Sequence, residues 1–156
     1  MKILVVYYSR TGTTKTVAEE IKKELNCDID EITDDVDRKG PIGYLLSGKE
    51  ATLKQLTKIK TKKDPSKYEL IIIGTPVWSF TMSTPIRSYI SKYKEKFKNV
   101  AFFCTLSGSG SEKTLKDMEI LSKKFTKHKL SLKTLDVKNN NYEEKLKKFI
   151  KEIHLS

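Results

Sequence analysis

Three short polar segments, each directly behind an apolar run, hold the residues of this chain best suited to chemistry. The first is Ser9-Arg10-Thr11-Gly12-Thr13-Thr14, in which four of six residues carry hydroxyls. Gly12 allows a tight turn and a close approach of backbone to a ligand. A helical pattern starts at once, and its free N–H groups and positive dipole end favour an anion. This combination suits a terminal phosphate. The other reading is that the hydroxyls cap the helix, but a cap needs one hydroxyl and not four. The segment lacks the Gly-Lys-Ser/Thr of a nucleotide P-loop and the GxGxxG of a dinucleotide site. The second segment is Thr75-Pro76-Val77-Trp78-Ser79-Phe80, which carries the only tryptophan of the chain. Read as a loop residue, Trp78 suits stacking on a flat ring, or else it belongs to the core. The third is Thr105-Leu106-Ser107-Gly108-Ser109-Gly110, either a wall of backbone amides or a flexible loop ending in a Ser or Thr cap. Together the three fit a flat aromatic ligand with one phosphate.

Little else invites chemistry. Cys27 and Cys104 form no CxxC pair, so free thiols in a reducing compartment are expected, with no metal site. His128 and His154 are the only histidines and read as surface residues. No side chain stands out as a catalytic acid, base or nucleophile.

The elements that must position these segments alternate along the chain. Apolar runs mark strands at Lys2–Tyr8, Leu70–Gly74 and Asn99–Cys104, each continuous as in a strand covered on both faces. Weaker alternation marks strands at Asp28–Thr33 and Lys129–Val137. Four-residue spacing of apolar residues marks helices at Thr13–Asn26, Gly43–Leu56, Thr84–Tyr93, Glu112–Phe125 and Tyr142–His154. Pro85 suits a first helical turn, and Asp34–Gly40 reads as a charged connector. Strict alternation of strand and helix implies an α/β fold, a doubly wound parallel sheet with helices on both faces. In such a sheet ligands bind beyond the carboxyl ends of the strands, where the three segments lie. At 156 residues the chain is expected to form a single domain, 1–156.

The net charge is +11, but only Arg10, Arg38 and Arg87 among the 31 basic residues are arginine. Base and bidentate phosphate recognition lean on arginine, so no nucleic acid partner is expected. A dispersed lysine surface suits the steering of an acidic protein partner. No apolar run approaches the roughly 18–20 residues that cross a bilayer, so no membrane insertion is expected. The apolar N-terminal run is too short for a signal peptide, and a cytoplasmic location is expected.

The segment Ser9-Arg10-Thr11-Gly12-Thr13-Thr14 resembles the phosphate loop of the flavodoxin family, [ST]-x-T-G-x-T. Ile73-Gly74-Thr75-Pro76-Val77-Trp78 and Phe102-Phe103-Cys104-Thr105 with its Gly/Ser loop are similar to the family's two flavin-ring loops. The resemblance spans nearly the whole chain and implies a short-chain flavodoxin-like fold: a five-stranded parallel sheet of order 2-1-3-4-5. It also implies bound FMN and electron transfer to redox partner proteins. By position, Ser9, Thr11, Gly12, Thr13 and Thr14 would hold the phosphate, and Arg10 would either help or face solvent. Lys15 is expected in solvent. Thr75, Pro76, Val77 and Trp78 would meet the ribityl chain and ring, with the turn at Ser79 and Phe80 beside them. Thr105, Leu106, Ser107, Gly108 and Gly110 would meet the ring's other side. Tyr44 is either aromatic cover or core. Flavodoxins are commonly acidic, whereas this chain is basic, so its partner is expected to be acidic and the protein a monomer or weak dimer. The alternative on the same fold is an FMN-dependent NAD(P)H:quinone oxidoreductase. A receiver-type domain is disfavoured because the ends of strands one and three carry no carboxylate.

Overall fold

The computed structural model describes residues 1–156. The chain runs β1 (Ile3–Tyr7), α1 (Thr13–Leu25), β2 (Asp28–Glu31), β3 (Thr33–Asp34), α2 (Gly40–Thr52), β4 (Ile59–Lys60), β5 (Leu70–Trp78) and β6 (Thr81–Met82). It continues through α3 (Thr84–Tyr93), β7 (Asn99–Leu106), α4 (Ser111–Ser122), β8 (Lys129–Lys133), α5 (Thr134–Lys138) and α6 (Glu143–His154). The five long strands are parallel in the order β2-β1-β5-β7-β8, which is 2-1-3-4-5 when they are counted along the chain. β6 folds back antiparallel on the end of β5, pairing Val77 with Met82 and Trp78 with Thr81. β3 and β4 form a separate antiparallel ladder.

Successive residues of a strand point to opposite faces, and here both faces are covered. Leu4, Val6, Ile71, Ile73 and Phe102 pack with Ile86, Tyr89 and Ile90 of α3 and Met118 of α4. Val5, Ile72 and Phe103 pack with Val17 and Ile21 of α1 and with Phe149, Ile150 and Ile153 of α6. This two-sided burial is why β1 and the first half of β5 read as unbroken apolar runs. No helix is long and apolar enough to cross a membrane.

Several boundaries differ from expectation. β5 continues past Gly74 to Trp78, because β7 and then β6 supply it with partners, so Trp78 ends a strand and does not sit on a loop. The last strand stops at Lys133, which pairs with the final residue of β7, Leu106. With no ladder beyond it, Thr134–Lys138 coils into a short helix. Ile32 divides the second strand, and Thr33–Asp34 pairs with Ile59–Lys60. α2 ends at Thr52, leaving Leu53 and Leu56 outside it, and Phe125 lies exposed beyond α4. His128 is buried and not a surface residue: it leads into β8, and its carbonyl accepts from the Phe102 N–H at 3.1 Å. Burial pushes its pKa below the ordinary histidine value, helped by Lys127. Both cysteines are free thiols, and burial raises Cys27 to about 11 and Cys104 to about 12.

Candidate functional site

Strand register sets Tyr7 beside Gly74 and Gly74 beside Phe103, so the three polar segments leave the sheet from one rim. α1 opens at Gly12, whose φ of 101° is left-handed, and no side chain caps it. The hydroxyls are used otherwise. Ser9 Oγ accepts from the Gly12 N–H at 3.1 Å, and Thr16 Oγ1 donates to the Gly12 carbonyl at 3.0 Å. The N–H groups of α1 from Thr13 on therefore have no side-chain acceptor. A side chain at Gly12 would meet nothing within 4 Å, so the ground above the loop is open. Thr11 is exposed, and Ser9 and Thr13 are half-buried. Thr14 points inward, with Oγ1 2.8 Å from Thr105 Oγ1, and it fastens the loop to β7. Thr75 is also inward: its Oγ1 accepts from the Ser83 N–H at 2.9 Å and fastens β5 to the start of α3. Among the predicted site residues the hydroxyls so divide into an accessible set, Ser9, Thr11 and Thr13, and a buried set, Thr14, Thr75 and Thr105.

The β5–β6 hairpin turns on Ser79 and Phe80, both at positive φ (48° and 63°). A two-residue hairpin of the I′ type needs that geometry and normally finds it with Asn or Gly. In other residues it costs about 1–3 kcal/mol each. Two flanks hold the turn. Ser79 Oγ donates to the Gly48 carbonyl of α2 at 3.0 Å. Phe80 lies so close to Gly110 that a Cβ there would come within 2.9 Å of the Phe80 Cα. Gly110, with φ 103°, opens α4 without a side-chain cap, as Gly12 opens α1, so a Ser or Thr cap is not formed. Thr105 and Leu106 are buried in β7, whereas Ser107 and Gly108 are exposed, and Lys133 Nζ donates to the Gly108 carbonyl.

A cleft of about 330 Å³ lies between α2 and the end of β5. Tyr44, Gly48 and Thr52 line it on the helix side, and Val77, Trp78 and Ser79 on the strand side. Its volume is at the lower end of the range for small-molecule sites. Trp78 is 8% exposed, with the Tyr8 ring edge-on at 5.4 Å and the Arg38 guanidinium 5.2 Å from its centroid. Pro76 is half-buried just before the cleft. The phosphate-type loop does not line this cleft but joins it through Arg10. That guanidinium lies 5.4 Å over the Tyr44 ring and donates to the Arg38 carbonyl at 3.1 Å. Tyr44 is an exposed wall, not core, and Lys15 stands in solvent as expected.

Four residues of this site escape the sequence reading: Tyr8, Asp34, Arg38 and Glu50. Arg38 Nη2 meets Asp34 Oδ2 at 2.7 Å, and its Nη1 meets Glu50 Oε2 at 2.5 Å and Ser47 Oγ at 3.1 Å. The Arg38 and Asp34 side chains are 3% and 2% exposed. Burial opposes the charge on Arg38, and the hydrogen bonds and charges of Asp34 and Glu50 outweigh it, so its pKa lies above the ordinary arginine value. Burial, with Asp34 nearby, lifts Tyr8 to about 12. The one available signal was an arginine set among Asp34, Asp35 and Asp37 in a chain that otherwise prefers lysine.

A doubly wound sheet of this order with a three-loop rim defines the flavodoxin-like α/β class. The chain belongs to the flavodoxin family: the family model described as Flavodoxin (Flavodoxin_4) matches residues 49–153, more than half of it. Among solved structures it is similar to a flavoprotein in complex with FMN from Lactobacillus acidophilus NCFM, with a TM-score of 0.72 and 23% identity, covering 91% of this chain and 98% of that one. It is also similar to oxidised Flavodoxin 2 from Bacillus cereus, with a TM-score of 0.54 and 18% identity over 96% and 95% of the two chains. A flavodoxin, WrbA-like protein from Agrobacterium tumefaciens gives 0.53 and 17% over 78% and 71%. At these identities the likeness is one of fold. No curated protein matches the chain in sequence.

Proposed function

We propose that this chain binds one FMN non-covalently at the C-terminal rim of its sheet and carries electrons between proteins. The observation that carries this reading is the pair of uncapped helices, α1 and α4, that open on left-handed glycines at Gly12 and Gly110 beside an aromatic cleft, within a flavodoxin-family fold. The residues present fit the cofactor. The accessible hydroxyls of Ser9, Thr11 and Thr13 and the free amides from Thr13 onward would hold the phosphate, with Thr14 bracing them from below. Pro76, Val77 and Trp78 would meet the ribityl chain and ring, with the strained Ser79-Phe80 turn beside it. Ser107, Gly108 and Gly110 would present main-chain groups to its other edge. Thr75, Thr105 and Leu106 would keep the three segments in register. Tyr44 would cover the cleft from α2.

When bound, FMN supplies the redox chemistry, and the protein sets its orientation and potential. Trp78, backed by Tyr8, and Val77 would exclude water from the ring. Outer-sphere electron transfer needs no acid or base, and no carboxylate or histidine lines the cleft. The charge of +11 would steer an acidic partner protein to this surface.

The test is the visible spectrum of untagged protein reconstituted with FMN and desalted. One flavin per chain is expected, and colourless protein would sink the proposal. Fast NAD(P)H oxidation with a quinone and no separate reductase would replace the carrier by an oxidoreductase on the same fold.

A further inference from the structure

We propose that Arg38 is the positioning residue of the ring wall: it holds the Trp78 indole in place and ties it to the phosphate loop. The inference rests on the FMN reading for its consequence, but not for its geometry. The guanidinium lies 5.2 Å from the Trp78 centroid, and Tyr8 meets the same ring edge-on. Three acceptors fix the plane of that guanidinium: Asp34 from β3, and Ser47 and Glu50 from α2. A rigid planar fork is pre-organised for such a task. The indole therefore leans on a charged group that is clamped from two separate elements. The main chain of Arg38 does a second job, since its carbonyl receives Arg10 Nη1, and Arg10 follows Ser9 at the start of the phosphate loop. One residue thus joins β3, α2, the end of β5 and the loop after β1.

Lysine cannot replace it. An ammonium is a compact point charge and cannot serve both carboxylates and Ser47 while also facing an indole. Arg38→Lys keeps the charge balance and should leave the sheet core intact while freeing Trp78. A second variant guards against misfolding: Asp34→Asn with Arg38→Gln and Glu50→Gln removes the whole ion cluster and strands no carboxylate.

The experiment uses the single tryptophan as its own probe. Acrylamide quenching of Trp78 emission is measured in apoprotein, and FMN and riboflavin titrations are run on the same samples. In both variants quenching should rise, and FMN and riboflavin should weaken by the same factor, about tenfold for a lost cation–π contact. Thr11→Ala with Thr13→Ala serves as contrast and should weaken FMN alone, because riboflavin has no phosphate. Folded variants with wild-type quenching and wild-type affinity for both flavins would overturn the role given to Arg38. Wild-type protein that takes up no flavin would overturn the proposed function instead, and the quenching comparison would still decide for or against Arg38 as the holder of Trp78.

Discussion

Helices α2 and α3 flank the same face of the sheet and are attached to it by opposite means. In α3, Thr84 through Ile90 are all buried, and Ile86, Tyr89 and Ile90 are fully enclosed in the core. In α2 only Gly43, Ser47 and Ala51 are buried, while Ile42, Tyr44 and Leu45 are 83%, 63% and 70% exposed. The inward side of α2 is small or polar, and its large apolar side chains point outward. α3 is held by apolar surface taken out of water, about 25 cal/mol for each Å². α2 is held by the Arg38 ion cluster, and its Gly43 lies close against the main chain of Arg38, just ahead of the helix. The rigid helix supports the sheet, and the lightly attached one lines the cleft. Elements that must admit a ligand come from the low-stability end of a fold.

The contrast can be broken in stages. The largest effect is expected from Ile86→Ala, which empties a fully buried site in α3 and should cost about 2–5 kcal/mol in urea unfolding. A cost near zero would mean that α3 is not the anchored helix. Next is Gly43→Ala. Its Cβ would fall 2.2 Å from the Arg38 carbonyl carbon, a backbone atom that cannot step aside. α2 should shift and flavin affinity should fall about tenfold or more, at a global cost below that of Ile86→Ala. Unchanged flavin binding would show that α2 is not a wall of the site. Amide exchange sharpens the comparison without mutation: α2 should exchange by local opening, well ahead of α3, and equal protection would remove the distinction. The smallest effect belongs to Ile42→Ser on the outer face of α2, expected within about 0.5 kcal/mol of wild type. A larger loss would mean that this face is covered in solution.

The same contrast marks what the amino-acid sequence discloses. The bounds of α3 are legible because Pro85 opens it and Ile86, Tyr89 and Ile90 keep helical spacing. β1, β7 and the first half of β5 are legible because burial on both faces leaves unbroken apolar runs. α2 is legible as a helix from Leu45, Leu46 and Ala51, yet of these only Ala51 is buried, so the pattern misleads about which face packs. The site divides in the same way. Gly12, Gly110 and the clustered hydroxyls announce the loops. Their sorting into accessible and buried groups depends on strand register, as between Thr14 and Thr105, and leaves no local trace. Arg38 is only half legible for a similar reason. Asp34 stands four residues before it, but Glu50 and Ser47 reach it only once α2 has folded back over it. His128 reads as surface because nothing in its neighbours signals that its carbonyl joins the sheet.

The Ser79-Phe80 turn has a backbone that neither residue would choose alone, and it keeps that shape because Gly48 and Gly110 press on it from two sides. It behaves as a logical conjunction. Both neighbours must be seated before the bend is worth holding, so the tip of the hairpin registers in one place whether the separate walls of the rim have come together.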